Sequence, residues 1–336
     1  MRRGFILFVG ILALALAPAM VSAQYSGAFG LSGLPSMPSM FGGSGKCGER
    51  ACPAFAPAVY FGWGVPQDRN TSVSLTAQNN GVANVREITI KLPTNGFWLG
   101  AALPVSLGDN LSFVATGWYL FPGTPGADSN EDYGLDPRQY LRNNWTPTFN
   151  WWFVDGAFAY TFGGSSCGGA AGSSGFSLLL GLRYDYYTVS ISDPNSNDLF
   201  AGQERGDVTS NGWIPFVGFQ TAYTDAVQSM KVRILGIPTI VGTGQVALTT
   251  INGNRFEFDN SNYNGGHFYE IFGEYTRKFF GASQAGVFAR WNTARATTSG
   301  SGRITNLNLQ DTYNFSLNRS SWTLGGLVTL DFNSPF

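Results

Sequence analysis

The chain has 336 residues, 44 of them glycine, with 15% aromatic and only 12% charged residues and a formal net charge of −1. That charge content is about half the usual share for a soluble globular domain, yet the mean hydropathy is only −0.03. A helical membrane protein built on apolar runs of about 20 residues, a disordered chain poor in aromatics and a polycationic nucleic-acid binder are all excluded.

At the start, Arg2 and Arg3 precede an apolar run over 5–17, Pro18 breaks it, and Val21-Ser22-Ala23 offers small residues before Gln24. This is the three-part layout of a secretory signal peptide over 1–23. Residues 24–57, rich in Gly, Ser, Pro and Met, read as a flexible periplasmic lead-in. Within it, Cys47 and Cys52 are candidates for a local disulfide in an oxidising compartment, with Cys167 as an alternative partner for either.

From Val59 onward a period-2 alternation recurs. Val59, Phe61 and Trp63 share one face, and Tyr60, Gly62 and Gly64 the other. In 97–107 the apolar series Phe97, Leu99, Ala101 alternates with Trp98, Gly100, Ala102, and 111–121 returns after Gly108-Asp109-Asn110. Similar stretches follow at 152–162, 176–186, 213–223, 230–234, 269–275, 287–291 and 322–332. Connectors 66–94, 122–148, 192–210, 237–264 and 299–319 are long, whereas 108–110, 163–175, 224–227 and 281–284 are shorter. Transmembrane barrels have this asymmetry, with short periplasmic turns and longer extracellular loops. No apolar run of transmembrane-helix length follows Ala23. A membrane-spanning form must therefore be a closed barrel, because lipid satisfies no open sheet edge. The expectation is an all-β, antiparallel, up-and-down transmembrane barrel over 58–336. About ten strands are expected, with eight or twelve as alternatives.

Aromatics at strand ends, among them Trp63, Trp98, Tyr119, Trp152, Trp213, Tyr275 and Trp322, suit interfacial girdles. Together with the leader and the ending Val328-Thr329-Leu330-Asp331-Phe332-Asn333-Ser334-Pro335-Phe336, the chain resembles bacterial (Gram-negative) outer-membrane β-barrel proteins. The resemblance implies an outer-membrane location, contact with membrane lipid and lipopolysaccharide, and recognition by the barrel-assembly machinery. In this class the recognition signal is an aromatic C-terminal residue: Phe336, or Phe332 because Asn333-Ser334-Pro335 interrupt the alternation.

With the apolar face outside, the inward positions hold Asp155, Arg183, Asp185, Lys231, Arg233, Glu270, Glu274, Lys278, Arg290 and Asp331. Acids and bases balance, so these residues fit a charge network that fills a narrow lumen, or lines a polar path for small solutes. Asp193, Asn195, Asn197 and Glu204 have the oxygen-ligand spacing of a calcium loop, although Asp198 stands where the turn glycine belongs. A second oxygen-rich run covers 128–136. His267 is the sole histidine and is expected at the outer rim, with Asp259 and Ser261 nearby. Some outer-membrane barrels are hydrolases, including ten-stranded omptin-type proteases with Asp/His groups at the rim. The leading functional expectation is a small porin-like or structural surface barrel, without enzymatic activity or cofactor. The alternatives are adhesion through loops 122–148, 192–210 and 237–264, and a rim hydrolase using His267.

Overall fold

The structure, a computed structural model, describes residues 57–330 except 66–70, 80–86, 93–95, 108–109, 123–126, 133–142, 163–172, 193–204, 226, 250–254, 281–282 and 306. The leader, the lead-in, all three cysteines, the calcium-loop candidates Asp193, Asn195, Asn197 and Glu204, and Asp331, Phe332 and Phe336 lie outside the described residues.

Among the described residues the chain is all strand: β1 (Ala58–Val65), β2 (Thr71–Ala77), β3 (Glu87–Leu92), β4 (Gly96–Ser106), β5 (Leu111–Pro122), β6 (Ala127–Asp132), β7 (Asn143–Phe162), β8 (Ser173–Ser192), β9 (Arg205–Thr224), β10 (Gln228–Ile237), β11 (Val241–Thr249), β12 (Arg255–Asn262), β13 (Gly265–Phe280), β14 (Ser283–Ile304) and β15 (Leu309–Thr329). All pairings are antiparallel and close into two stacked rings that share the long strands β7, β8, β9, β14 and β15. The lower ring runs β1-β4-β5-β7-β8-β9-β10-β13-β14-β15 and back to β1. The upper ring replaces β1, β4, β5, β10 and β13 with β2, β3, β6, β11 and β12. Each ring has ten members, so the fifteen strands are ten wall strands, five of them interrupted part-way up. The expected strand number holds.

The expected long loops do not. Much of 66–94, 122–148, 237–264 and 299–319 is wall rather than loop, as is 205–210 of the connector 192–210, whose residues 193–204 lie outside the described residues. The oxygen-rich run from Asp128 begins within β6. The reason lies in the facing of the side chains. Along β15 the inward series runs Tyr313, Phe315, Leu317, Arg319, Ser321, Thr323, while Asn314, Ser316, Asn318, Ser320, Trp322 and Leu324 are more exposed. The pleat never slips, but polarity changes sides near Arg319. Above that level apolar residues face in and polar ones out; below it the outward face turns apolar, and the inward face mixes charged and polar groups with buried apolar ones such as Leu327. On β8 the outward series changes from Phe176, Leu178, Leu180 and Leu182 to Thr188 and Ser190, while the inward series changes from Arg183 and Asp185 to Tyr187 and Val189.

The outward apolar stretch is 176–186 on β8 and 213–223 on β9, the 9–11 residues that a tilted strand needs to cross a bilayer. The remaining upper wall is a collar with a water-facing outside. At about 3.3 Å per residue and a tilt near 40°, the part of β15 over 309–321 rises roughly 30 Å above that band. Glycine lets large rings lie flat against the wall. Gly100 pairs with Trp118 across β4–β5, and a Cβ there would lie 2.6 Å from the indole.

Candidate functional site

The collar's interior is a packed apolar core. Val73, Leu75, Val189, Val208, Val246, Phe256, Phe258, Ile304, Tyr313, Phe315 and Leu317 are each at most 2% exposed. Phe258 stacks on Phe315 at 5.4 Å and 11°, Tyr263 lies 6.2 Å from the same ring, and Phe256 meets Tyr313 edge-on at 5.2 Å. Ser210 and the Tyr263 hydroxyl share a 2.5 Å hydrogen bond at the foot of this core.

Beneath it lies a layer of ion pairs. Arg183 Nε and Nη2 donate to Asp155 Oδ1 and Oδ2 at 2.5 and 2.9 Å, and Nη2 also reaches Glu270 Oε2 at 2.8 Å. Glu270 accepts further bonds from Arg233 Nη2 at 2.7 Å and from Arg290 Nε and Nη2 at 3.0 and 2.8 Å. Thr116 Oγ1 completes the Asp155 shell at 2.8 Å. Arg319 Nη1 pairs with Asp185 at 2.9 Å, and Trp151 Nε1 donates to the same carboxylate at 3.0 Å. Aromatic faces cover the guanidiniums: Arg183 Cζ lies 4.3 Å from the Phe153 ring centre and 4.4 Å from Phe268, and Arg290 Cζ lies 4.2 Å from Phe153 and 4.9 Å from Trp118. Such contacts, about 2 kcal/mol or more when desolvated, offset part of the cost of burying charge.

Below the layer, at the end bearing the short turns, is a cavity of about 310 Å³. Residues from all ten lower strands line it. Lys231 pairs there with Glu274, which also accepts the Tyr60 hydroxyl at 2.9 Å.

The structure thus brings together Asp155, Arg183, Arg233, Glu270 and Arg290 as one cluster, sets Lys231 with Glu274 beside the cavity, and pairs Asp185 elsewhere in the same layer. Lys278 is instead exposed near the end of β13. Two expectations need correction. Trp98, assigned to a girdle, is 0% exposed and packs on Trp151 at 5.0 Å inside, because its parity on β4 is that of the inward Gly100. His267 is not at the rim: it sits on β13, with β11 and β12 rising above it, and alternates with the buried Phe268. Its ring lies 5.4 Å from Tyr269, on the outward side of the wall. Arg319 and Trp151 were missed. Arg319 fell within an assumed loop, although its two-residue spacing to Ser321 and Thr323 marked it as inward.

No protein-family model and no curated protein matches the chain by sequence. Among solved structures, the outer-membrane protease OmpT of Escherichia coli is similar with a TM-score of 0.62 at 12% identity, over 84% of this chain and 99% of that one. The fold is that of an outer-membrane β-barrel. The P. putida toluene transporter TodX also matches, over 83% of this chain and 91% of its own at 8% identity, with a TM-score of only 0.29. At such identities the likeness extends to the fold and not to chemistry. Among the described residues, no group of three or more His, Cys, Asp or Glu side chains could hold a metal ion.

Proposed function

We propose that this outer-membrane barrel is a non-conducting surface protein: a membrane anchor that carries a rigid, polar collar out of the outer leaflet. The observation that carries this reading is the change of the outward face from apolar to polar along β8, β9, β14 and β15, above which an apolar core fills the upper bore while a paired charge layer fills the bore beneath it. Water and ions need a continuous polar path, and two successive plugs of different chemistry oppose one. We assign the turn end to the periplasm and the collar to the exterior, on the expectation that residues 1–23 are a cleaved leader. Membrane lipid and lipopolysaccharide surround the apolar band in this reading, and the barrel-assembly machinery is the partner during insertion.

Surface contacts are then made by outward collar side chains such as Ser74, Thr188, Ser190, Asn314 and Asn318 rather than by long flexible loops. Narrow passive diffusion, the porin-like alternative, requires the ion-paired layer to open. A hydrolase centred on His267 draws no support from that residue's place on the outer wall. Planar-bilayer recording of the purified full chain is the test. No conductance steps beyond the lipid baseline are expected at any voltage, whereas reproducible unitary steps would overturn the sealed-bore reading.

A further inference from the structure

The cavity under the charge layer is chemically lopsided. One arc of its wall is apolar and small, with Ala102, Pro104, Val114, Ala157, Leu179 and Phe216 from β4, β5, β7, β8 and β9. The adjoining arc, from β10 and β13, carries Lys231, Arg233 and Glu274 with the Phe272 ring between them. The charges on that arc do not cancel, since two cations face one carboxylate. Among the described residues the layer above adds no compensating acid. There Arg183, Arg233 and Arg290 share only Asp155 and Glu270, and Asp185 is held by Arg319. Arg233 commits Nη2 to Glu270, and its Nε donor has no acceptor among the described residues. Lys231 keeps 28% of its side chain exposed to the cavity mouth. A volume of 310 Å³ lies at the lower end of ordinary small-molecule sites, which combine an apolar lining with a few placed polar groups.

We propose that this vestibule is a binding site for a small organic monoanion with an apolar body, such as an aromatic carboxylate, entering from the turn end. The carboxylate meets Lys231 and Arg233, balancing the excess positive charge, and the apolar body lies against Leu179, Phe216 and Phe272. A purely inorganic anion would leave the apolar arc unused, and a neutral analogue would leave the cations unmatched. The inference is independent of the collar's role: a sealed bore and an occupied vestibule are tested by different measurements.

The experiment uses the full chain in lipid nanodiscs, with empty discs to subtract partitioning into lipid, and compares benzoate with its neutral counterpart benzyl alcohol and with acetate. Saturation-transfer NMR or titration calorimetry should show benzoate binding at least about tenfold tighter than either of the other two. Lys231→Met should weaken benzoate at least about fivefold and leave benzyl alcohol unchanged. Ala102→Phe, which fills the cavity from its apolar side, should abolish benzoate binding. Heat-dependent gel mobility reports that each variant is folded, and Lys231→Gln serves in place of any variant that is not. Equal affinity for benzoate and benzyl alcohol, or benzoate binding that persists unchanged in folded Lys231 and Ala102 variants, would overturn the proposal.

Discussion

Glu270 offers the sharpest perturbation of the sealed bore. Its side chain is fully buried and accepts hydrogen bonds from three arginines. Glu270→Gln keeps the shape, removes the charge and turns an amide donor toward guanidinium groups. Arg183 then keeps Asp155, while Arg233 and Arg290 lose the only ion pair each makes among the described residues. Breaking one buried ion pair costs about 3–5 kcal/mol because the surviving charge is stranded, and the three pairs act as one unit, so their losses do not add. We expect Glu270→Gln to destabilise the barrel by about 3–5 kcal/mol, a large part of a typical total of about 5–15 kcal/mol. Equilibrium urea unfolding from lipid vesicles, followed by tryptophan emission, measures this as a lowered midpoint at constant slope. Combining Arg233→Met with Glu270→Gln should cost less than Glu270→Gln alone, since one fewer cation is stranded. A loss below about 1 kcal/mol for the single variant would refute the claim that Glu270 organises the layer.

Two further outcomes follow from the collar. Glu257 also lies between two arginines, Arg255 at 2.6 Å and Arg303 at 3.5 Å, but on the exposed outer face. The hydrogen bond from Arg255 leads the effects that hold its carboxyl below the usual range. Its small contribution is therefore present above the ordinary carboxylate pKa and lost as pH falls through the depressed value. Glu257→Gln should cost less than about 1 kcal/mol at neutral pH, with the difference from wild type vanishing in acid, as read from urea midpoints across a pH series. Phe315→Ala removes a ring stacked against both Phe258 and Tyr263 and should cost about 3–5 kcal/mol in the same unfolding assay; a change under about 1 kcal/mol would mean that the collar core is not packed as described.

The alternation of facing was legible in the sequence because period 2 depends only on the pleat, and counting the alternating stretches led to about ten strands. Which side of the pleat faces lipid was legible only in part. The assumption that apolar means outward holds for Leu178 and Leu180 in the lower wall and fails for Phe315 and Leu317 in the upper wall. Polarity reports the solvent on each side, and the outside solvent changes from lipid to water part-way along a strand. The same change hid Arg319, whose segment lacks an outward apolar face and so looked like loop. Five of the charged residues assigned to the lumen meet in one cluster because alternation fixes parity even where depth is unknown. Their partners across the bore depend on long-range closure of the ring, which local spacing does not encode. His267 was misplaced for a related reason: counting 237–264 as loop put the rim at the start of β13, whereas β11 and β12 carry the wall higher.

The change of facing along β15 is the central claim, and single cysteines placed on its outward side test it most directly. In intact cells a membrane-impermeant maleimide should label cysteine at Asn314 and Asn318 and leave cysteine at Trp322 and Leu324 unlabelled, with the boundary falling near Ser320. Uniform protection down the whole series, or labelling that continues through 324, would contradict a collar standing clear of the membrane.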